Sequence, residues 1–335
     1  HIKNVPGKKT DMKDVEWIAD LFRHGLIQAS FIPDKGQREL REQLKYRQSL
    51  VIDRTAELNR LQKMLEEGNI KLSGTVSNIL GKSSRVLIEG IINGEKYTQD
   101  DIERMFEDHT LSKGLKASSE QIVKDLEGIL TSAQIVIMKM CLEHIDYLTL
   151  AINKIDELVE AELSLEQREA VEALTAIPGI SKVSAKNIIA VIGTDMSHFP
   201  SERHLSKWAG LCPGNNESAG KRRSGRTSKG NALLRTTLVQ CAQSASRTKN
   251  TFFAAQYARL VIRRGANRAK VAVAHSMLIA IWHMLKNKMP FFDLGSEYYN
   301  QFNRDKKANA LMVKLINLGF DVKINDRKIL EVKDA

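Results

Sequence analysis

Between Pro33 and Pro178 the chain contains no proline at all. Proline removes a helical N–H and clashes with the preceding turn, so this long span is open to uninterrupted helix. Within it Leu44, Val51, Leu58, Leu61 and Leu65 recur at helical spacing with charges between them. A second run holds Ile122, Leu126, Ile129, Ala133, Val136, Met140, Leu148, Ile152, Ile155 and Val159. Both patterns are close to a heptad, which predicts two long helices packed as an antiparallel coiled coil or small bundle. Gly68, Gly74, Gly81, Gly90 and Gly94 divide residues 68–118 into shorter helical pieces, an insertion or helical tip.

Residues 10 to about 25 form a helix of their own. Thr10 can cap it, Asp11 and Asp14 favour its first turn, and Val15, Ile18, Leu21 and Phe22 make its apolar stripe. After Leu165 the pattern changes to short helices and glycine turns, up to about residue 292. The tail reads as a basic helix, a stop at Gly319 and a short strand over residues 320–324. The chain begins with His1 and no strand precedes the first helix, so an upstream portion of that domain is expected to be missing.

Composition narrows the function classes. A chain with 42% apolar and 27% charged residues is not disordered wholesale. Its net charge of +11 suggests a polyanionic partner, because counterion release drives binding to a phosphate backbone. Cys141, Cys212 and Cys241 lie far apart without metal-ligand spacing, which suggests a reducing compartment and no disulfide framework. No apolar run approaches the roughly 20 residues that span a bilayer, so no membrane role is expected, and a cytoplasmic, nucleoid-associated place is.

Four constellations could carry chemistry. Asp11 and Asp14, one helical turn apart, could share a divalent ion, or serve only the helix dipole. ALTAIPGISKVSAKNIIAVIG, residues 173–193, resembles a helix-hairpin-helix whose turn amides bind phosphate, with Lys182 and Lys186 expected on the accessible side. It could equally be a plain helical hairpin. ESAGKRRSGRTSKGNALLR, residues 217–235, must be exposed, since Lys221, Arg222, Arg223 and Arg226 could not be buried unpaired. Its serines compete for three roles: capping (Ser228 and Asn231, before the helix near Ala232), binding phosphate, or attacking a phosphodiester beside arginines. Finally Arg263, Arg264, Arg268 and Lys270 cluster at a turn between two helices and extend the basic face. His275 and His283, further along the second helix, read as core histidines.

Taken in order, KNVPGKKTDMKDVEWIADLFRHGLIQASFIP, IPGISKVSAKNIIAVIG, HLSKWAGLCPGNNESAGKRRSGRTSKGNALLR and RRGANRAKVAVAHSML resemble the DEDD-type (RuvC-like) insertion-sequence transposases, bridge-RNA-guided serine recombinases of mobile elements. The resemblance covers nearly the whole chain. It implies a mainly α fold in four parts. Residues 1–40 would be the C-terminal remnant of an RNase H-like (RuvC-like) domain, and residues 41–165 a coiled-coil region with an insertion. Residues 166–292 would be a small helical transposase domain with a helix-hairpin-helix, and residues 293–335 a short α/β tail.

The resemblance also assigns roles. Asp11 and Asp14 match the last two acids of a magnesium-binding tetrad. Ser218, just after GLCPGNNE, matches the catalytic serine, and Lys221, Arg223, Arg226 and Lys229 the phosphate contacts. Ser224 and Ser228 become binding and capping hydroxyls, and Arg222 and Arg235 share the basic face. The implied activity is DNA strand cleavage and exchange through a phosphoserine, guided by a structured noncoding RNA, in a homodimer or tetramer. Two other readings stay open: a non-catalytic nucleic-acid-binding protein or inactive remnant built on the same hairpin and loop, and a structural coiled-coil protein.

Overall fold

The computed structural model describes residues 10–27, 31–76, 78–112, 114–115, 117–214, 216–218, 221–299, 304–324 and 330–334. Helix α1 (Asp11–Arg23) starts where Thr10 Oγ1 accepts the amide of Lys13 at 3.3 Å, with Asp11 and Asp14 in the first turn. Its amphipathic stripe is present, yet only Leu21 is buried, while Val15, Ile18 and Phe22 face outward. A periodic stripe states which face is apolar and leaves open whether anything packs on it.

The chain divides into two units, residues 39–163 and residues 1–38 with 164–335. In the first, α2 (Lys35–Glu67) and α7 (Ser132–Glu162) lie antiparallel. The direction follows from their pairs: Gln43 meets Glu162, Arg47 meets Asp156, Arg54 meets Thr149 and Glu57 meets His144. Arg47 holds Asp156 with two bonds, at 2.6 and 2.8 Å. Leu50, Leu148 and Ile152 fill the seam beside them. Between the long helices come α3 (Leu72–Thr75), α4 (Lys82–Ile92), α5 (Gln99–Glu107) and α6 (Ser119–Leu126). They close a separate core in which Ile88, Ile102 and Ile122 pack with Leu61, Leu65, Met138 and Ile145.

The second predicted run therefore needs correction. Residues 122–159 are two helices, because α7 restarts at Ser132 with a capping box between Thr131 and Gln134. The inward face also differs. Ile129, Val136 and Met140 are exposed by 87, 57 and 63%, whereas Met138, Leu142 and Ile145 are buried. Helix α7 is apolar on several sides, so spacing alone did not single out its inner face.

The other unit is built on α13 (Ala266–Asn287), whose Met277, Leu278 and Ile281 are fully buried. Burying each is worth about 1.5–3 kcal/mol relative to exposure. Around it stand α8 (Leu165–Thr175), α9 (Lys182–Ile192), α10 (Glu202–Trp208), α11 (Ala232–Ala245) and α12 (Phe252–Arg264). Phe31 enters this core from far upstream, its ring 5.3 Å from Phe199 and 6.0 Å from Trp208. Gln37 follows, its amide nitrogen 3.5 Å from the carbonyl of Ile189. The tail is α14 (Arg304–Asn317), then an antiparallel hairpin of Phe320–Ile324 with Leu330–Asp334.

Candidate nucleic-acid interface

The helix-hairpin-helix segment folds as α8, a turn and α9. Ile177 and Ile180 point into the core, and Ser181 Oγ accepts the amide of Ser184 to cap α9. Gly179, at φ +88°, lies so close to α11 that a Cβ there would sit 2.5 Å from both Cys241 O and Ala245 N. The turn is thus pressed onto α11. Lys182 is exposed at the first residue of α9. Lys186 is not on the accessible side: it is 6% exposed, on the face of α9 that carries Ile189 and Ala190 into the core.

The basic segment holds structure that periodicity did not reveal. Strands β1 (Asn216–Ser218) and β2 (Lys221–Ser224) pair antiparallel, with Ser218 opposite Lys221 and Glu217 opposite Arg222. The ladder continues inward. Pro213 bridges Thr227, Gly214 N donates to Arg226 O at 2.8 Å, and Ser228 N donates to Cys212 O at 3.2 Å. At the neck Gly210 and Gly230 touch backbone to backbone. A Cβ on Gly210 would lie 2.9 Å from Gly230 N, and Gly210 itself sits at φ +72°. Below the neck Asn231 N donates to Trp208 O, and Asn231 Oδ1 caps α11 by accepting Leu234 N at 3.0 Å. The side chains of Ser218, Lys221, Arg222, Arg223 and Ser224 lie outside the described residues, and their backbone places all five on this hairpin. The sequence signal for it was the Ala219-Gly220 dipeptide between two polar runs, weaker than Asn-Gly.

Ser228 does not cap α11. Its amide is used in the ladder, and its Oγ is buried with no hydrogen-bond partner among the described residues. Such a hydroxyl costs roughly 1–3 kcal/mol of lost solvation unless a partner satisfies it. Beside the neck, Cys212 Sγ stands 3.7 Å from His275 Nε2 on α13. Burial pushes the Cys212 thiol up and the His275 imidazole down, so each favours its neutral form. His275 is half-buried, whereas His283 is exposed and is not a core histidine.

The other cations converge in part. Arg226 and Lys229 are exposed on the returning limb of the hairpin. Arg263 and Arg264 close α12, and Arg268 and Lys270 open α13 across Gly265. Arg235 of α11 and Lys270 of α13 line one cleft of about 290 Å³ with Asn267. Lys182 and Arg268 sit in first turns, where helix dipoles disfavour cations, and neither α9 nor α13 has an acid there. Bound phosphate would offset that cost. Asp11 and Asp14 supply two carboxylates. Among the described residues no group of three or more His, Cys, Asp or Glu side chains could hold a metal ion. Those two acids alone do not make a magnesium site. No described helix is long and apolar enough to cross a membrane.

Two regions of the chain match transposase families. Residues 171–258 match the Transposase IS116/IS110/IS902 family, and residues 2–70 match a transposase family of the DEDD IS110 type. The chain is also similar to the transposase for insertion sequence element IS1111A of Coxiella burnetii (strain RSA 493 / Nine Mile phase I). Identity is 25% over 297 residues, which cover 85% of this chain and 69% of that protein.

Proposed function

Because the chain carries transposase domains of the IS110/IS116 insertion-sequence kind, we propose that it cleaves and rejoins DNA strands with Ser218 as the nucleophile. The observation that carries this reading is the hairpin. It lies inside the matched residues 171–258, holds Ser218 three residues before the run Lys221, Arg222 and Arg223, and is fixed at its base by a glycine-to-glycine neck. A nucleophile on a short, anchored hairpin is held in place relative to the helices behind it, which is what proximity catalysis requires.

In the proposed step the seryl oxygen forms a bond to phosphorus as the bond to the 3′ oxygen breaks. That oxygen leaves with the proton lost by the serine, and the 5′ phosphate stays on the protein. Lys221, Arg223, Arg226 and Lys229 neutralise the charge gathered on the phosphoryl oxygens. Arg222, Ser224, Arg235, Lys182, Arg263, Arg264, Arg268 and Lys270 hold flanking phosphates, while Ser228 offers its hydroxyl at the neck. Asp11 and Asp14 would contribute to a magnesium site only with further ligands from elsewhere, where the ion would stabilise anionic oxygens. A structured RNA would supply sequence choice by base pairing, leaving the protein to read backbone and shape. Self-association is supported by the outward apolar residues of α7, among them Val136, Met140, Tyr147 and Leu150.

The test is covalent trapping on end-labelled DNA with the protein and its RNA. The expected result is a 5′-linked, detergent-stable adduct that Ser218→Ala abolishes. Adduct formation undiminished in Ser218→Ala would remove the nucleophile assignment, and binding without any adduct in the unaltered protein would favour the non-catalytic reading.

A further inference from the structure

A second surface feature runs along α12 toward its turn with α13. Phe252, Gln256, Arg259 and Arg263 recur at intervals of three to four residues, which places them along one side of the helix. Tyr298 and Tyr299 come back over that side, and these six line a cleft of about 490 Å³. That is within the range of roughly 300–1,000 Å³ typical of small-molecule sites. The rings are ordered against one another. Tyr299 stacks on Phe252 at 5.3 Å with 21° between the planes, and Tyr298 meets Phe252 edge-on at 5.2 Å. Arg259 lies over the Tyr299 ring, its Cζ 5.1 Å from the centroid.

The return of the tyrosines is anchored. Asp293 Oδ1 accepts the amides of Phe252 at 2.9 Å and Gly295 at 2.7 Å. A second hollow of about 290 Å³ shares Phe252 and adds Phe253, Phe291 and Phe292, the last 80% exposed. Aromatic side chains therefore line both hollows, and Arg259 and Arg263 stand in the first. Gln256 gives its amide nitrogen to Ser276 Oγ at 2.8 Å. Its Oε1 is buried without a partner among the described residues.

We propose that this cleft binds an unpaired nucleotide of a single-stranded nucleic acid, with the base held against the aromatic cluster of Tyr298, Tyr299 and Phe252 and the flanking phosphates on Arg259 and Arg263. Stacking needs an open base face, which a duplex conceals, and the two arginines supply the charge that a phosphate backbone requires. Strand exchange exposes unpaired bases, so the inference deepens the proposed function but does not use Ser218 or the hairpin.

The experiment measures anisotropy of labelled 12-mers of thymidylate DNA and uridylate RNA, and of a 12-base-pair duplex, on the whole chain. Tyr299→Leu is expected to weaken single-strand binding about tenfold with duplex binding unchanged, and Tyr299→Phe to retain it. Arg259→Gln with Arg263→Gln should lower the single-strand salt slope by about 0.7 per lost contact. A 5-iodouracil 12-mer should crosslink at Tyr298 or Tyr299. The 12-mer whose affinity depends on Tyr299 identifies DNA or RNA as the source. Wild-type single-strand affinity in Tyr299→Leu, or crosslinks confined to other segments, overturns the site while duplex binding leaves the proposed function standing. Failure of all three probes on the unaltered chain overturns both.

Discussion

At the scale of single residues, the neck of the basic hairpin makes the sharpest demand on the sequence. Gly210 combines a left-handed φ with a backbone neighbour at 2.9 Å, so any side chain there meets main chain that cannot rotate aside. Gly210→Ala is expected to cost more than about 2 kcal/mol, read as a lowered urea midpoint, and to weaken DNA binding by releasing the hairpin. An unchanged midpoint would mean that the two strands do not close at this point. His275, beside the neck, gives a pH prediction. Burial lowers its pKa in the folded chain, while the unfolded chain takes up the proton near pH 6.5. The contribution is therefore complete above that value and is lost as pH falls from it toward the folded pKa. The urea midpoint should decline between pH 7.5 and 5.5, and His275→Gln should decline less over the same interval.

At the scale of elements, α7 separates what spacing can show from what it cannot. Met138→Ala or Ile145→Ala should cost about 2–5 kcal/mol, whereas Val136→Ala or Met140→Ala should stay within about 0.5 kcal/mol of the unaltered chain. Equal costs by chemical denaturation would contradict the burial of the first pair. The heptad reading chose Val136 and Met140 because α7 carries apolar residues on more than one side, and a 3.5-residue period fits either side. Termini were easier to read, since caps are local chemistry. Thr10, Asn231 and the Arg263-Arg264-Gly265 stop all lie within a turn of where the sequence put them. The basic hairpin was not legible as strands, because its register is fixed by non-local bonds such as Gly214 to Arg226 and by the neck. Lys186 was misplaced for the same reason: its burial depends on what packs against α9 from elsewhere in the chain. Tyr299 and Arg259 went unnoticed because they are 40 residues apart and meet only through the fold.

At the scale of the whole molecule, two hydrophobic cores share no residue. One is closed by Leu61, Leu65, Ile102 and Met138, the other by Ile188, Leu238, Met277 and Ile281. Sequence order hides this division, because residues 31–38, which lead into and begin α2, belong with the core formed after residue 164. A chain with two separate cores should unfold in two steps. Each core can then be weakened alone. Leu65→Ala removes a side chain that is 1% exposed from the first, and Ile188→Ala removes a fully buried one from the second. Each should cost about 2–5 kcal/mol in its own unit. Scanning calorimetry should therefore show Leu65→Ala lowering one transition and Ile188→Ala the other, and DNA should raise the transition that Ile188→Ala lowers, since the hairpin and its cations belong to that unit. A single transition moved equally by both substitutions would mean that the two cores fold as one.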